Sequence, residues 1–252
     1  MNEFSVLARV GLLLVRPGML VAVMPGFGGA VVPTPAKVAL TAFLALTLLP
    51  AVEVPVAATE AGLAAVVARE VAIGLALGLT LRALVAGVEM AGHLSGHQIG
   101  FSYAATVDPA SGVRNSMLSS LFGMLAVLTL FAVDGHHAML RALAMSYEGL
   151  PIGIGGIGPS LLASVRDLLA LVFTVGARLA APMVIVLLMV EVVVGLISRT
   201  APSLGSMVIG YPIRLVVGLL VLGLVIAAVP EVVSSLVRST VEAALRAASA
   251  FR

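Results

Sequence analysis

The chain is 252 residues long, 61% of them hydrophobic and 10% charged, with a net charge of +2 and no cysteine. A soluble domain carries roughly 25% charged residues, so there is too little polar surface here to keep a chain of this length in water; lipid or other apolar protein must cover much of its exterior. The basic residues are scattered single arginines with Lys37 as the lone lysine, which argues against a nucleic-acid surface, and the missing thiols exclude disulfides and thiolate chemistry.

The N-terminal stretch "MNEFSVLARVGLLLVRPGMLVAV" opens with acidic Glu3, and Arg9 and Arg16 fall inside or behind its apolar run. A cleaved signal peptide places its positive charge ahead of that run, so this segment is expected to be retained. Apolar stretches follow at 7–32, 38–58, 61–92, 117–133, 161–198 and 206–229, several near the ~20 residues that cross lipid as a helix. Long runs without period-two alternation favour helices over a barrel. Pro25, Pro33 and Pro35 break the first region into a hairpin, Pro50 and Pro55 end the second, and Pro182 should kink the fifth. The expected fold class is all-α: a polytopic helical membrane protein of kinked hairpins, forming a single domain over residues 1–252.

Several of these stretches carry charge. Arg69 with Glu70, Arg82 with Glu89, and Arg178 with Glu191 lie inside apolar runs. An ionisable group at the bilayer centre costs about 3 kcal/mol or more, so these should face partners, one another or water. At about 100° per residue, Arg82, Glu89, His93 and His97 project within roughly 80° of one another as one polar stripe. A seam against neighbouring helices is the leading reading, and a seam lining an aqueous path is the second. Gly74 and Gly78 have the small-xxx-small spacing that lets another backbone approach.

Three short patterns suggest chemistry. "HLSGH" sets His93 and His97 four apart, as for one metal, but Leu94 stands where a zinc peptidase needs its glutamate base. A third ligand would have to come from Glu89 or from His136 and His137. "DGHH" at 134–137 has an acid and a base without a nucleophile, and adjacent histidines on a helix point in different directions. Asp134 and Gly135 more simply end one helix and start another. "GIGGIG" at 153–158 matches the dinucleotide fingerprint in form, yet what precedes it looks helical, whereas that motif follows a strand. No catalytic residue, metal ligand or cofactor is assigned.

The longest stretch of mixed polarity is "FSYAATVDPASGVRNSMLSS". Asp108 and Pro109 favour a turn, Gly112 permits positive φ, and Ser111, Asn115 and Ser116 can satisfy backbone groups locally. It reads as a compact non-helical loop between apolar helices, tolerated at membrane depth where it is buried in protein or lines a wet cavity. In its context, "GHQIGFSYAATVDPASGVRNSMLSSLFGMLAVLTLFAVDGHH" resembles the central region of the FliR family of flagellar type III export-gate subunits. "RPGMLVAVMPGFGG", "VPTPAKVAL", "LPIG" and "SRTAPSLGSMVIGYPIRLVVGLL" fall in the family's order, so the resemblance covers nearly the whole chain.

The resemblance implies a structural pore component rather than an enzyme, with no cofactor, in the bacterial inner membrane at the flagellar basal body. It implies a FliP-like part at about 1–160 and a FliQ-like hairpin at about 161–252. The implied partners are FliP-like and FliQ-like subunits, an FlhB-like subunit and unfolded flagellar export substrates. Injectisome relatives share the architecture, and "VDPASG" leans to the flagellar branch. The loop containing Phe101, Tyr103, Thr106, Val107, Asp108, Pro109 and Gly112 is similar to the family's plug. Phe101, Tyr103 and Val107 would supply bulk for closure. Family members often carry an aromatic just before Val-Asp-Pro, and Thr106 here shifts that bulk to Tyr103 or to partner subunits. Arg82 and Glu89 are expected to pair with each other or with partners. The alternatives are an ion-coupled secondary transporter using the His93 and His97 stripe, and an intramembrane metallo-enzyme.

Overall fold

A computed structural model describes residues 3–29, 32–52, 60–101, 117–153, 160–200 and 210–249. All regular structure among them is helical: α1 (Glu3–Val23), α2 (Thr34–Leu48), α3 (Glu60–Ile99), α4 (Met117–Ala132), α5 (Gly135–Gly149), α6 (Ser160–Thr200) and α7 (Gly210–Ser249). Three of these are long and apolar enough to cross a membrane, over Gly62–Ile99, Val165–Thr200 and Gly210–Val237. Helices α4 and α5 bend by 67° at their break and would make a fourth span if taken together. The expected polytopic helical protein is therefore found, with a different segment count. At 15 residues α2 is shorter than the ~20 that span lipid, and α5 is an additional helix after the turn at Asp134.

Local chemistry sets the boundaries. Pro33 caps α2 in extended conformation and Pro35 follows inside its first turn, where a missing N–H costs nothing. Lys37 reaches back from α2 to donate to the carbonyls of Gly28 (3.1 Å) and Gly29 (3.0 Å), clasping the turn between α1 and α2. Helix α3 contains no proline and stops at Gly100, whose φ of 99° suits the left-handed position after a helix end. Its N–H bonds the carbonyls of Gly96 and His97 at 3.2 Å. Asp134 also adopts left-handed φ, 56°, where α4 gives way to α5. Helices α1, α6 and α7 continue through Pro17, Pro182 and Pro230.

The chain forms two compact units, residues 1–84, 130–170 and 235–252 in one, residues 85–129 and 171–234 in the other. In the first unit α1 lies against α3 through glycines. A Cβ on Gly74 would sit 2.5 Å from the Arg16 carbonyl oxygen and 2.8 Å from Met19 Cβ, and one on Gly78 would meet Leu20 O and Val23 Cβ at 3.3 Å. The backbone approach anticipated at this spacing is thus made by α1 of the same chain. Leu13, Leu20, Ile73, Leu77, Met139 and Leu143 fill the surrounding core.

That approach carries Arg16 into the interior, where it is 0% exposed. Its Nε and Nη2 donate to the two carboxylate oxygens of Glu70 at 2.7 and 3.0 Å, a two-pronged contact on α3 one turn before Gly74. Nη1 donates to Ser146 Oγ (2.9 Å) and Nη2 to the Leu150 carbonyl (3.0 Å). The guanidinium carbon stands 4.0 Å above the Tyr147 ring. The last carbonyls of a helix have no partner within it and carry its negative dipole end, so a cation at the end of α5 is well placed. Glu70 therefore takes its counter-charge from a residue 54 positions upstream rather than from its neighbour Arg69.

In the second unit the same device recurs. Gly92 admits α4, with a Cβ there 2.6 Å from Leu118 O, and Gly87 admits α6, with one 2.8 Å from Val175 Cβ. Phe122, Ala126, Val175, Met183 and Leu187 make its core. The carboxylate of Glu191 on α6 binds Arg214 Nη2 of α7 at 2.8 Å, so this acid too finds a distant arginine, while Arg178 is exposed.

Two outcomes follow for stability, read as thermal unfolding of the detergent-solubilised chain. Gly74→Ala forces α1 from α3 and is expected to cost about 1–3 kcal/mol. Gly11→Ala, where nothing lies within 4 Å, should be neutral or slightly stabilising; equal effects at the two sites would refute the close-approach argument. Glu70→Leu strands Arg16 and should cost about 3–5 kcal/mol. Adding Arg16→Met should recover part of that loss, leaving the Leu150 carbonyl unpaired; a double variant no better than the single would show that the charge was not the issue.

Candidate functional site

The polar stripe lies on the C-terminal half of α3. Arg82, His93 and His97 are exposed and Glu89 is half-buried. The Glu89 carboxylate lies against Gly123 of α4, where a Cβ would come within 2.9 Å of Oε1, and Ser119 donates to the Glu89 main-chain carbonyl at 3.0 Å. Glycine at 123 is what lets the acid fit between the helices. The rings of His93 and His97 meet edge to face with centroids 4.9 Å apart, as two imidazoles one turn apart on the same side do. Arg82 and Glu89 each take part in further interactions.

Of the loop expected to plug a channel, Phe101 is described and is 43% exposed just past the end of α3. Tyr103, Thr106, Val107, Asp108, Pro109 and Gly112 lie outside the described residues. Most of "GIGGIG" does as well. The element before it is helix α5, so the strand that a dinucleotide site requires is not what leads into Gly153.

The Asp134–His137 turn joins α4 and α5 as expected, though its histidines do not diverge. Their ring centroids are 4.1 Å apart, with His136 also 4.9 Å from Phe131. Among the described residues Asp134, His136 and His137 are a group whose ligand atoms converge, within 4.8 Å. Asp134 and His137 are exposed and already share a 3.0 Å hydrogen bond, which ties the first turn of α5 to the bend. An open groove of about 520 Å³ beside this turn is lined by Leu44, Thr47 and Leu48 of α2 and by His137, Leu140 and Arg141 of α5.

The polar cluster that sequence reading missed lies at the far end of α5. Ser146, Tyr147 and the Leu150 carbonyl receive Arg16, and the adjoining carbonyl of Pro151 receives Arg69 Nη1 at 3.2 Å. Arg16 stood in the sequence only as a charge inside an apolar run. The available signal was that an arginine within such a run, beside glycines spaced four apart elsewhere, needs a buried acid. Arg69 is 4% exposed, and its Nε and Nη2 are buried without a hydrogen-bond partner among the described residues.

The chain is similar in sequence to known proteins. Flagellar biosynthetic protein FliR of Pectobacterium carotovorum subsp. carotovorum is 33% identical over 133 residues, 53% of this chain and 51% of that protein. The FliR of Caulobacter vibrioides is 27% identical over 238 residues, 92% of this chain and 95% of the relative. Surface presentation of antigens protein SpaR of Shigella flexneri is 27% identical over 117 residues, 46% and 45% of the two chains. The chain thus spans about half the length of the first and third relatives in these matches and nearly all of the second. The profile of the bacterial export proteins, family 1, matches residues 7–240. The kinship expected from the loop and Asp-Gly-His motifs holds, and with the match running through every helix described above, the chain belongs to the bacterial export proteins, family 1.

Proposed function

We propose that the chain is the FliR-type subunit of a flagellar type III export apparatus, a structural part of its pore and gate in the bacterial inner membrane at the basal body. The observation that carries this reading is the end-to-end correspondence with a flagellar FliR, 92% of this chain against 95% of that relative. Under it, residues 1–160 act as a FliP-like part and 161–252 as a FliQ-like hairpin, packed among FliP-like and FliQ-like subunits with an FlhB-like subunit nearby. Unfolded flagellar proteins are the cargo, and the loop from Phe101 to Gly112 closes the channel at rest.

The distribution of apolar surface fits a membrane chain whose outer faces are covered by lipid or by other subunits. Only 22% of the most apolar window of α6 and 28% of that of α7 are buried, against 67% for α3. Phe173, Leu188, Met189, Val192, Leu220 and Leu224 lie bare. Such faces need apolar cover, from lipid or from neighbouring helices. The Arg214–Glu191 pair, at 30% and 44% exposure, neutralises one ionic group from each of those two helices and so lowers the cost of covering that part of them.

The tagged chain purified from its host should bring FliP-like and FliQ-like chains with it, and loss of its gene should abolish motility. Recovery alone, with solute transport in vesicles, would favour the ion-coupled transporter instead. Deletion of 104–112 should leave the complex assembled while raising ion or small-solute leakage; unchanged permeability would remove the plug assignment.

A further inference from the structure

The end of α5 holds two buried arginines and one buried glutamate. Arg16 arrives from α1, Arg69 and Glu70 from α3, at 0%, 4% and 0% exposure. The group carries one positive charge in excess. Both oxygens of Glu70 are engaged by Arg16, and the carbonyls just past α5 are divided, Arg16 on that of Leu150 and Arg69 on that of Pro151. The described charged side chains nearest to it on α1 and α5 do not offset it. Arg9 on α1 is half-buried with an unpartnered Nε, and Arg141 and Glu148 of α5 are exposed.

The two arginines are used differently. Arg16 spends its Nε and Nη2 on a carboxylate, the edge of the guanidinium that grips two oxygens at once. Among the described residues Arg69 donates from Nη1 to a carbonyl, at 3.2 Å, and its own Nε and Nη2 are buried and find no partner there. A guanidinium stays charged at any physiological pH, and a buried one whose nearest carboxylate, that of Glu70, is already gripped on both oxygens by Arg16 is costly. The vacant edge therefore has the geometry that the neighbouring arginine already uses for a glutamate.

We propose that the Nε–Nη2 edge of Arg69 is a binding site for a carboxylate, supplied by an Asp or Glu side chain of a neighbouring subunit that packs over the turn at 150–153. This rests on the multi-subunit reading above. Pro151 and Gly153 of that turn are exposed, which leaves its outer side open to a partner. A carboxylate on a slim side-chain stem suits an edge that is almost wholly enclosed, whereas a lipid phosphodiester brings its glycerol and headgroup with it.

The test is co-expression of the tagged chain with its FliP-like and FliQ-like partners, followed by purification in mild detergent. Arg69→Met is expected to weaken recovery of the complex about thirtyfold or more, the loss typical of truncating one member of a buried interfacial pair, with Arg69→Lys intermediate. Motile revertants of Arg69→Glu are the second readout, independent of how well the Met variant accumulates. They should carry an acidic-to-basic change in a partner subunit. A wild-type yield of complex with Arg69→Met, revertants mapping to an acid of this same chain, or a co-purifying phospholipid lost on substitution would each overturn the proposal. If the unsubstituted chain brings no partners, it is the export-subunit reading that fails.

Discussion

A guanidinium held inside an apolar helical unit sets the terms for the rest of that unit. Gly74 lets the α1 backbone come so close to α3 that Arg16 cannot turn its side chain to water, and Glu70, one turn earlier on the same helix, becomes its counter-charge. The contact then recruits α5, through Ser146, the Tyr147 ring and the Leu150 carbonyl. Helices far apart in the sequence are thereby fixed in one arrangement. In an apolar environment packing helices gain little from hydrophobicity alone, so close backbone contact and satisfied polar groups decide which faces meet. A glycine, a glutamate and an arginine accomplish here what a uniformly aliphatic surface would leave undetermined.

The second unit applies the first half of this logic, glycine-mediated approach at Gly87, Gly92 and Gly123, with the Arg214–Glu191 ion pair lying closer to the surface. Arg214 and Glu191 are partly exposed on helices whose apolar residues are largely uncovered. Internal order is thus combined with external incompleteness: the inner seams are tight, while the outer faces of α6 and α7 are suited to contact with lipid or other helices. That is the physical form expected of a subunit in a family of membrane export proteins.

Much of this was legible in the sequence, for identifiable reasons. Composition and uninterrupted apolar runs determine helices, because backbone groups in lipid must be satisfied within a segment. The prolines at 33 and 35 mark a break between apolar segments by covalent restriction, and Gly74 and Gly78 announce a close approach by what they lack. The Asp134 turn follows from residue types that tolerate left-handed φ. What resisted reading was pairing over distance. Glu70 sits beside Arg69 in sequence, yet successive helical residues diverge by about 100°, and the true partner is selected by how α1 docks. The same holds for Glu191 with Arg214. Chain proximity suggested the neighbour; three-dimensional packing chose the distant arginine.

Arg16 and Arg69 make the most informative comparison in the molecule, because they share an environment and differ in completeness. Both are buried, both meet a carbonyl at the end of α5, and the fold supplies a carboxylate to one of them. Removing water from a cation and leaving most of its donors idle is unfavourable for an isolated chain. Such a residue is tolerable if the isolated chain is not the functional state. Buried ion pairs contribute less to stability than to specifying which surfaces join, and a charge that becomes satisfied only on docking discriminates between a partner with a correctly placed acid and one without. An arginine of this kind ties the internal architecture of α1, α3 and α5 to assembly with other chains.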